Sequence, residues 1–323
     1  MRAPPLRDTL TGMGTPLLTL DDCTVLRQGR EILRVDHLEF EAGQLGPDDC
    51  AFLANISSLY ALFEVTGGLL SPVELTRLDH YGDDLITIQK YQGKTNEQFT
   101  RLLLNVTLAA LRRPAERPLD ILDPLAGRGT TLETAWMMGH NAFGVEADEK
   151  AFDAMAAYLR TWLRRKRLKH SASVSPVRRE GRSLGRRFDA ELKLPGPLVM
   201  SVFTGDTRQS AALFGKKRFD AVVTDAPYGV VHGSQTDVRG HAGKRDRSPA
   251  GLLREAVPVW ARQLRPGGAL GMSWNTYGLT REDAAAILTD AGLEVLSGGP
   301  WDQFGHRVDS SIQRDLMVAV APL

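Results

Sequence analysis

The sequence predicts an α/β protein built on a mostly parallel, doubly wound sheet, and three observations carry that expectation. From about residue 96 onward, helical stretches alternate with short apolar strands, the pattern of a parallel sheet with helices packed on it. Several of these strands end on an acid, in LDILDP, AFGVEAD and FDAVVTDAP, and a fourth runs into one, in LVMSVFTGD. The first strand is followed by a glycine-bearing turn that opens a helix, and ligands of such sheets lie at the carboxyl ends of the strands.

Residues 1–90 read differently. They hold 14 acidic and 7 basic residues, with strand-like pieces ILRVDHLEF and DLITIQKY around one helical stretch, DDCAFLANISSLYALFEV. This predicts a small acidic α+β domain at 1–90, followed by the sheet domain at 91–323.

The second part is laid out in order. A helix EQFTRLLLNVTLAALRR precedes the strand LDILDPL, and ETAWMMGHN leads to AFGVEAD. The long helix EKAFDAMAAYLRTWLRRKR comes next, then the strands LVMSVFTGD and FDAVVTDAP. The chain closes with GLLREAVPVWARQL, GALGMSWN, REDAAAILTDAG, LEVLSGG and RDLMVAVAP. Trp136, Trp162 and Trp260 fall on helices and are expected in the core.

Two segments break the alternation. Residues 160–187 carry 11 Lys or Arg against the single acid Glu180, and the Ser, Gly and Pro content of their second half predicts an exposed, mobile loop. Residues 229–249, GVVHGSQTDVRGHAGKRDRSP, read as a polar loop.

Bulk composition narrows the function classes. A chain of 323 residues, 42% hydrophobic and 24% charged, is an ordinary globular sequence, and a net charge of +1 gives no global attraction for nucleic acid or membrane. Any charge argument is therefore local. Cys23 and Cys50 stand apart, without a CxxC pair or a Cys/His cluster, so neither a disulfide framework nor a zinc site is expected. His232 and His241 have no third ligand at sensible spacing and read as surface residues, so no metal is expected. The N-terminus has no apolar signal core and no run of 18 apolar residues occurs, which predicts a cytoplasmic location.

The chemistry gathers at the strand ends. In Asp123-Pro124-Leu125-Ala126-Gly127-Arg128-Gly129-Thr130-Thr131 the glycines allow close backbone approach to a ligand, and the helix start supplies free N–H donors. Glu146 follows Asp123 by 23 residues at the end of the next strand, where an acid can hold a ribose diol. A dinucleotide fingerprint would need glycine at 132, where Leu132 stands, so a smaller nucleoside ligand fits better. Gly205-Asp206-Thr207 places a further acid on the same edge, and the next strand ends in Asp225-Ala226-Pro227-Tyr228-Gly229.

DPLAGRGTT, GVEAD, GDT and DAPYG in this order resemble the class I S-adenosylmethionine-dependent methyltransferases, in particular the group with a (D/N)PPY motif that methylates exocyclic amines. Within it the chain is most similar to the tRNA guanine-N2 methyltransferases and their putative RNA-methylase relatives. The resemblance covers roughly residues 92–323 and implies a Rossmann-like class I sheet, mostly parallel with an antiparallel last strand supplied by RDLMVAVAP. It implies S-adenosyl-L-methionine as cofactor, with Asp123, Gly127, Gly129 and Thr130 about its methionine part. Glu146 would hold the ribose and Asp206 the adenine amine. Thr95, in YQGKTNEQF, precedes a helix that in related enzymes closes over the methionine end; Thr95 or Asn96 also suits a plain helix N-cap.

For the reaction, Asp225 and the Ala226 carbonyl would accept from the target amine, Pro227 would stiffen the turn and Tyr228 would stack on the flipped base. Ala226 replaces the family's first proline, which removes one fixed φ and leaves the carbonyl in place. The implied partner is RNA, tRNA first, contacted through Arg164, Arg165, Lys166, Arg167, Lys169 and the 229–249 loop. A DNA adenine-N6 or cytosine-N4 methyltransferase shares the same motif, and a catalytically silent cofactor-binding RNA-binding protein is the further alternative.

Overall fold

Apolar strands that must bury both faces need helices above and below them, and the computed structural model has that layered arrangement. It describes residues 19–27, 30–40, 42–91, 93–112, 118–179, 181–193, 196–227 and 248–323. The chain divides into two units, Ala3–Arg77 and Leu78–Leu323, so the division falls ahead of the 90/91 boundary expected from composition.

The smaller unit contains two hairpins and a helix. Strands β1 (Thr19–Arg27) and β2 (Arg30–Glu39) pair antiparallel from Thr19↔Glu39 to Arg27↔Arg30. Helix α1 (Pro47–Ala54) begins at a proline, and the Asp49 carboxylate accepts from Gly46 N at 2.8 Å. It stops at Ala54, and residues Leu62–Thr66 form β3, paired with β4 (Leu69–Val73). The expected helix over DDCAFLANISSLYALFEV thus ends at Ala54, passes through a turn at Ser57-Ser58 and gives way to strand at Leu62, although Phe52, Ile56, Leu59, Tyr60 and Phe63 keep a helical spacing; serines favour such local turns.

In the larger unit, DLITIQKY is not a strand. Residues Asp84–Thr87 form the short helix α2, with Leu85 and Ile86 buried. The other elements follow the expected order: α3 (Glu97–Ala109), β5 (Asp120–Asp123), α4 (Thr130–Met137), β6 (Asn141–Glu146) and α5 (Glu149–Arg165). After α5 the structure departs from expectation. The segment read as a mobile loop forms two long strands, β7 (His170–Arg179) and β8 (Arg182–Leu192), an antiparallel hairpin on the sheet edge. Its sequence alternates: Ala172, Val174 and Pro176 fall on one face, Ser171, Ser173 and Ser175 on the other. The remaining elements are β9 (Leu198–Thr204), α6 (Ser210–Phe214), β10 (Phe219–Asp225), α7 (Ala250–Gln263), β11 (Leu264–Asn275), α8 (Arg281–Asp290), β12 (Glu294–Val295), β13 (His306–Arg307) and β14 (Gln313–Val320).

The sheet runs β12-β14-β11-β10-β5-β6-β9-β8-β7, with β13 also on β14. Pairing is parallel from β11 through β10, β5 and β6 to β9, and β14 is antiparallel to β11. The Rossmann-like α/β sheet with an antiparallel last strand is therefore present, extended at one edge by the hairpin.

Alternation sorts the helices onto the two faces. Phe143, Val222, Leu270 and Met272 join one core with α7 and α8, which includes Trp260 and Trp274. Gly144 and Gly271, one residue out of phase, face the other way, against Leu132 of α4 and Thr107 of α3. A Cβ on Gly271 would lie 1.7 Å from Thr107 Oγ1, so α3 can sit this close to the sheet only over a glycine. Trp136, Trp162 and Trp260 are all buried, as expected. At the amino ends of the strands Arg265 bridges Asp220 (2.5 Å) and Asp120 (3.0 Å), and Lys217 adds a contact to Asp120 at 3.0 Å.

Candidate functional site

The chain leaves β5 in one direction through β6 and β9 and occupies the other side with β10 and β11, so the order reverses between β5 and β10. A crevice opens outside the carboxyl ends at such a reversal. β5 and β10 pair only through Ala221↔Ile121 and Val222↔Leu122, which leaves the rims of both strands, Asp123 and Asp225, beyond the paired stretch.

The turn after β5 brings two glycines into left-handed backbone, Gly127 at φ 54° and Gly129 at φ 90°. A side chain on Gly129 would also meet Met155 at 3.0 Å, whereas the space beside Gly127 is open. The Gly127 N–H donates to Glu146 Oε2 at 2.6 Å, and the Asp148 N–H donates to Oε1 at 2.7 Å. Glu146 thus ties the end of β6 to the glycine turn. Burial pushes its carboxyl up to about 7, against the two N–H donors that pull it down. Thr130, first residue of α4, shares a 3.0 Å hydrogen bond with the Tyr91 hydroxyl, and the Arg128 guanidinium lies 4.7 Å above the Tyr91 ring. Tyr91 had no motif to mark it.

Asp123 points inward. It is 2% exposed, and Oδ1 accepts from Leu125 N (3.1 Å) and from Thr224 Oγ1 (2.9 Å). Burial raises this carboxyl to about 6. The geometry makes Asp123 an anchor that joins β5, its turn and β10, with its side chain turned inward.

Asp225 is held from two sides. Thr95 Oγ1 donates to Oδ2 at 2.5 Å and Ser273 Oγ donates to Oδ1 at 2.5 Å. Ser273 is its register partner on β11, and the Ala226 N–H continues the ladder to the Ser273 carbonyl at 2.8 Å. Thr95 arrives because Asn96 caps α3, its Oδ1 accepting from Gln98 N and Phe99 N. Asn96 is therefore the cap, one of the two expected, and the Thr95 hydroxyl reaches Asp225 and not the glycine turn. Ala226 is 1% exposed and Pro227 is exposed. Tyr228 and residues 228–247 of the following loop lie outside the described residues.

Asp206 caps the turn Thr207–Gln209 through Arg208 N (2.8 Å), and the Arg208 guanidinium grips both its oxygens while reaching Glu255 at 2.8 Å. The Arg208 hydrogen bonds hold the Asp206 carboxyl below its usual range. Lys94, beside Thr95, is spent on Glu97 (2.5 Å) and on the Gln89 carbonyl (2.9 Å). Glu133 on α4 is 1% exposed, accepts from Gln89 Nε2 at 2.9 Å, and is pushed well up by burial.

Of the basic cluster, Arg164, Arg165, Lys166, Arg167 and Lys169 are exposed, and Lys166 pairs with Asp84 at 2.8 Å. A recess of about 340 Å³ lined by Ser171, Ser173, Asp189 and Ser201 lies on the face of the hairpin and is not part of the rim. Among the described residues no group of three or more His, Cys, Asp or Glu is placed to hold a metal ion. Nor is any described helix long and apolar enough to cross a membrane.

No protein-family model matches the chain, and no curated protein matches it. Solved structures similar to it include magnesium protoporphyrin IX methyltransferase (ChlM) of Synechocystis PCC 6803 with bound SAM, 14% identical over 72% of this chain and 86% of that one, TM-score 0.43. Precorrin-6y C5,15-methyltransferase of Geobacter metallireducens GS-15 is 15% identical over 76% of this chain and 98% of that one, TM-score 0.41. TrmN of Thermus thermophilus is 16% identical over 73% of this chain and 51% of that one, TM-score 0.40.

Proposed function

We propose that the protein is an S-adenosyl-L-methionine-dependent methyltransferase acting on an exocyclic amine of a nucleic-acid base, with guanine N2 in tRNA as the leading target. The observation that carries this reading is the Asp225 carboxylate, fixed by Thr95 and Ser273 at the strand-order reversal beside a glycine turn tied to Glu146.

The residues fit the cofactor. Open space beside Gly127, the start of α4 and the Glu146 carboxylate form a cradle for a nucleoside with a polar tail, Glu146 facing the ribose diol and the glycine turn the methionine part. Asp206, with Arg208 on it, stands on the same edge for the adenine amine. When bound, S-adenosylmethionine supplies an electrophilic methyl on a sulfonium. The chain's own residues do the rest. An exocyclic amine is a poor nucleophile because its lone pair is delocalised into the ring. Acceptors fixed around its two hydrogens favour the pyramidal form, in which that pair is available. Asp225 is one acceptor, held in place by the Thr95 and Ser273 hydroxyls. The Ala226 carbonyl is the second. The RNA contact is assigned to the exposed Arg164–Lys169 cluster and the 229–249 loop.

The test is incubation with tritiated S-adenosylmethionine and, separately, unmodified tRNA, ribosomal RNA and duplex DNA, followed by nucleoside analysis. Label in methylguanosine of tRNA is expected. Label in DNA adenine or cytosine would move the target to DNA. Methyl transfer that survives Asp225→Ala at the wild-type rate would remove Asp225 from the reaction.

A further inference from the structure

The β7–β8 hairpin does not end where the sheet ends. Its inner strand pairs with β9 as far as Arg187↔Phe203, and the Arg186 N–H meets Thr204 Oγ1 at 2.8 Å, at the last residue of β9. β9 runs parallel to β6, β5 and β10, so this is the carboxyl edge that carries Glu146, Asp206 and Asp225. Beyond it the hairpin continues alone through Val177↔Gly185, Arg178↔Ser183 and Arg179↔Arg182. Four residues from Arg186 to Arg182 at about 3.3 Å each carry the tip about 13 Å past the rim. A register shift at Val177/Arg178 bends it there.

Charge is distributed along this arm in two ways. At its base, Arg186 pairs with Asp153 at 2.8 Å and covers the Phe152 ring, and Arg187 pairs with Asp189 at 2.6 Å. Arg186 thereby fixes the arm to α5, and Arg187 is spent on its own strand. The last two rungs hold Arg178, Arg179 and Arg182, of which Arg178 is exposed, with Glu180 the only acid between Pro176 and Arg187. Three arginines on two successive rungs, with one acid among them in the sequence, suit an extended polyanion. Arginine forks match phosphate oxygens in particular. Laterally the inner strand of the arm stands four strand spacings from β10, about 19 Å at 4.8 Å each, so an extended chain of phosphates held by it reaches the site along the same rim.

We infer that the arginine-tipped hairpin is a phosphate-backbone clamp that holds the nucleic-acid substrate against the carboxyl rim. This deepens the proposed function and rests on it for the identity of the polyanion. The test uses the full chain and the triple variant Arg178→Ala, Arg179→Ala, Arg182→Ala. Binding of a fluorescent unmodified tRNA transcript is followed by anisotropy over a series of salt concentrations, with S-adenosylmethionine affinity and thermal melting measured alongside. The variant is expected to bind the transcript about 10- to 100-fold more weakly, with a log–log salt slope shallower by about 2, while cofactor affinity and melting stay unchanged. Unchanged RNA affinity and slope would overturn the clamp and leave methyl transfer to RNA, assayed on the wild type, standing on its own. Wild-type protein that neither binds nor labels RNA would remove both. Competition by polyglutamate as effective as that by RNA would assign the arm to an acidic peptide and overturn the inference.

Discussion

Glu146 is expected to push stability and ligand affinity in opposite directions as pH rises. Its carboxyl sits at about 7 in the folded chain against an ordinary 4.5, because burial disfavours the charge more than the Gly127 and Asp148 N–H groups favour it. A raised folded value means that the folded state binds a proton which the unfolded state has already lost. The charged form therefore costs stability, little at pH 5 and nearly in full at pH 8. With those two values, linkage gives about 2–3 kcal/mol lost by wild type between pH 5 and 8 relative to Glu146→Gln, the other titrations being common to both. Comparing the two proteins by urea unfolding at both pH values cancels the change in N–H partners, which is the same at each. Cofactor binding runs the other way. Only the carboxylate accepts two ribose hydroxyls, and a group at about 7 is roughly 10% ionised at pH 6 and 90% at pH 8, so affinity for S-adenosylmethionine should rise about tenfold over that range. In Glu146→Gln that rise should vanish and affinity at pH 8 should fall; calorimetric titration reads both. Wild-type affinity that is flat from pH 6 to 8, or unfolding curves of the two proteins that move together with pH, would refute the reasoning.

Gly271→Ala should cost about 1–3 kcal/mol and lower the urea midpoint, because its methyl would overlap Thr107 in a packed face; an unchanged midpoint would mean α3 sits further from the sheet than described. Thr207→Val removes the 2.9 Å acceptor of the fully buried Trp260 indole N–H and should destabilise by about 1–3 kcal/mol, again by urea unfolding. Ser273→Ala should lower the methyl-transfer kcat about tenfold while S-adenosylmethionine affinity stays the same, since it removes one hydroxyl that positions Asp225 and touches nothing on the glycine turn.

The strand ends were legible because an acid closing an apolar run violates the pattern around it, and Asp123, Glu146 and Asp225 all stand at such breaks. What each acid does was less legible. Asp123 and Asp225 look alike in sequence, yet one is turned under the rim and the other held at it by two hydroxyls, a difference made by tertiary neighbours. Ser273 left one trace, a polar residue inside the buried run ALGMSWN. The β7–β8 hairpin was hidden because its alternation is between serine and small apolar residues, while its arginines carry the signal of a solvated run. DLITIQKY failed for the opposite reason: a short apolar run has no length with which to tell strand from helix.

The clamp of Arg265 on Asp120 and Asp220 and the carboxylate of Asp225 stand at opposite ends of one strand. Five residues at about 3.3 Å put about 17 Å between them, and the two carboxylates of the clamp are matched by Arg265 and Lys217, so it presents little net charge to the other end. β10 is in that sense a spacer, long enough to keep two charged neighbourhoods electrically independent. Changes in the ionic clamp at one end then tune melting without entering the field at the other, so the lower end of this sheet can drift, or be engineered, with no demand placed on the chemistry above it.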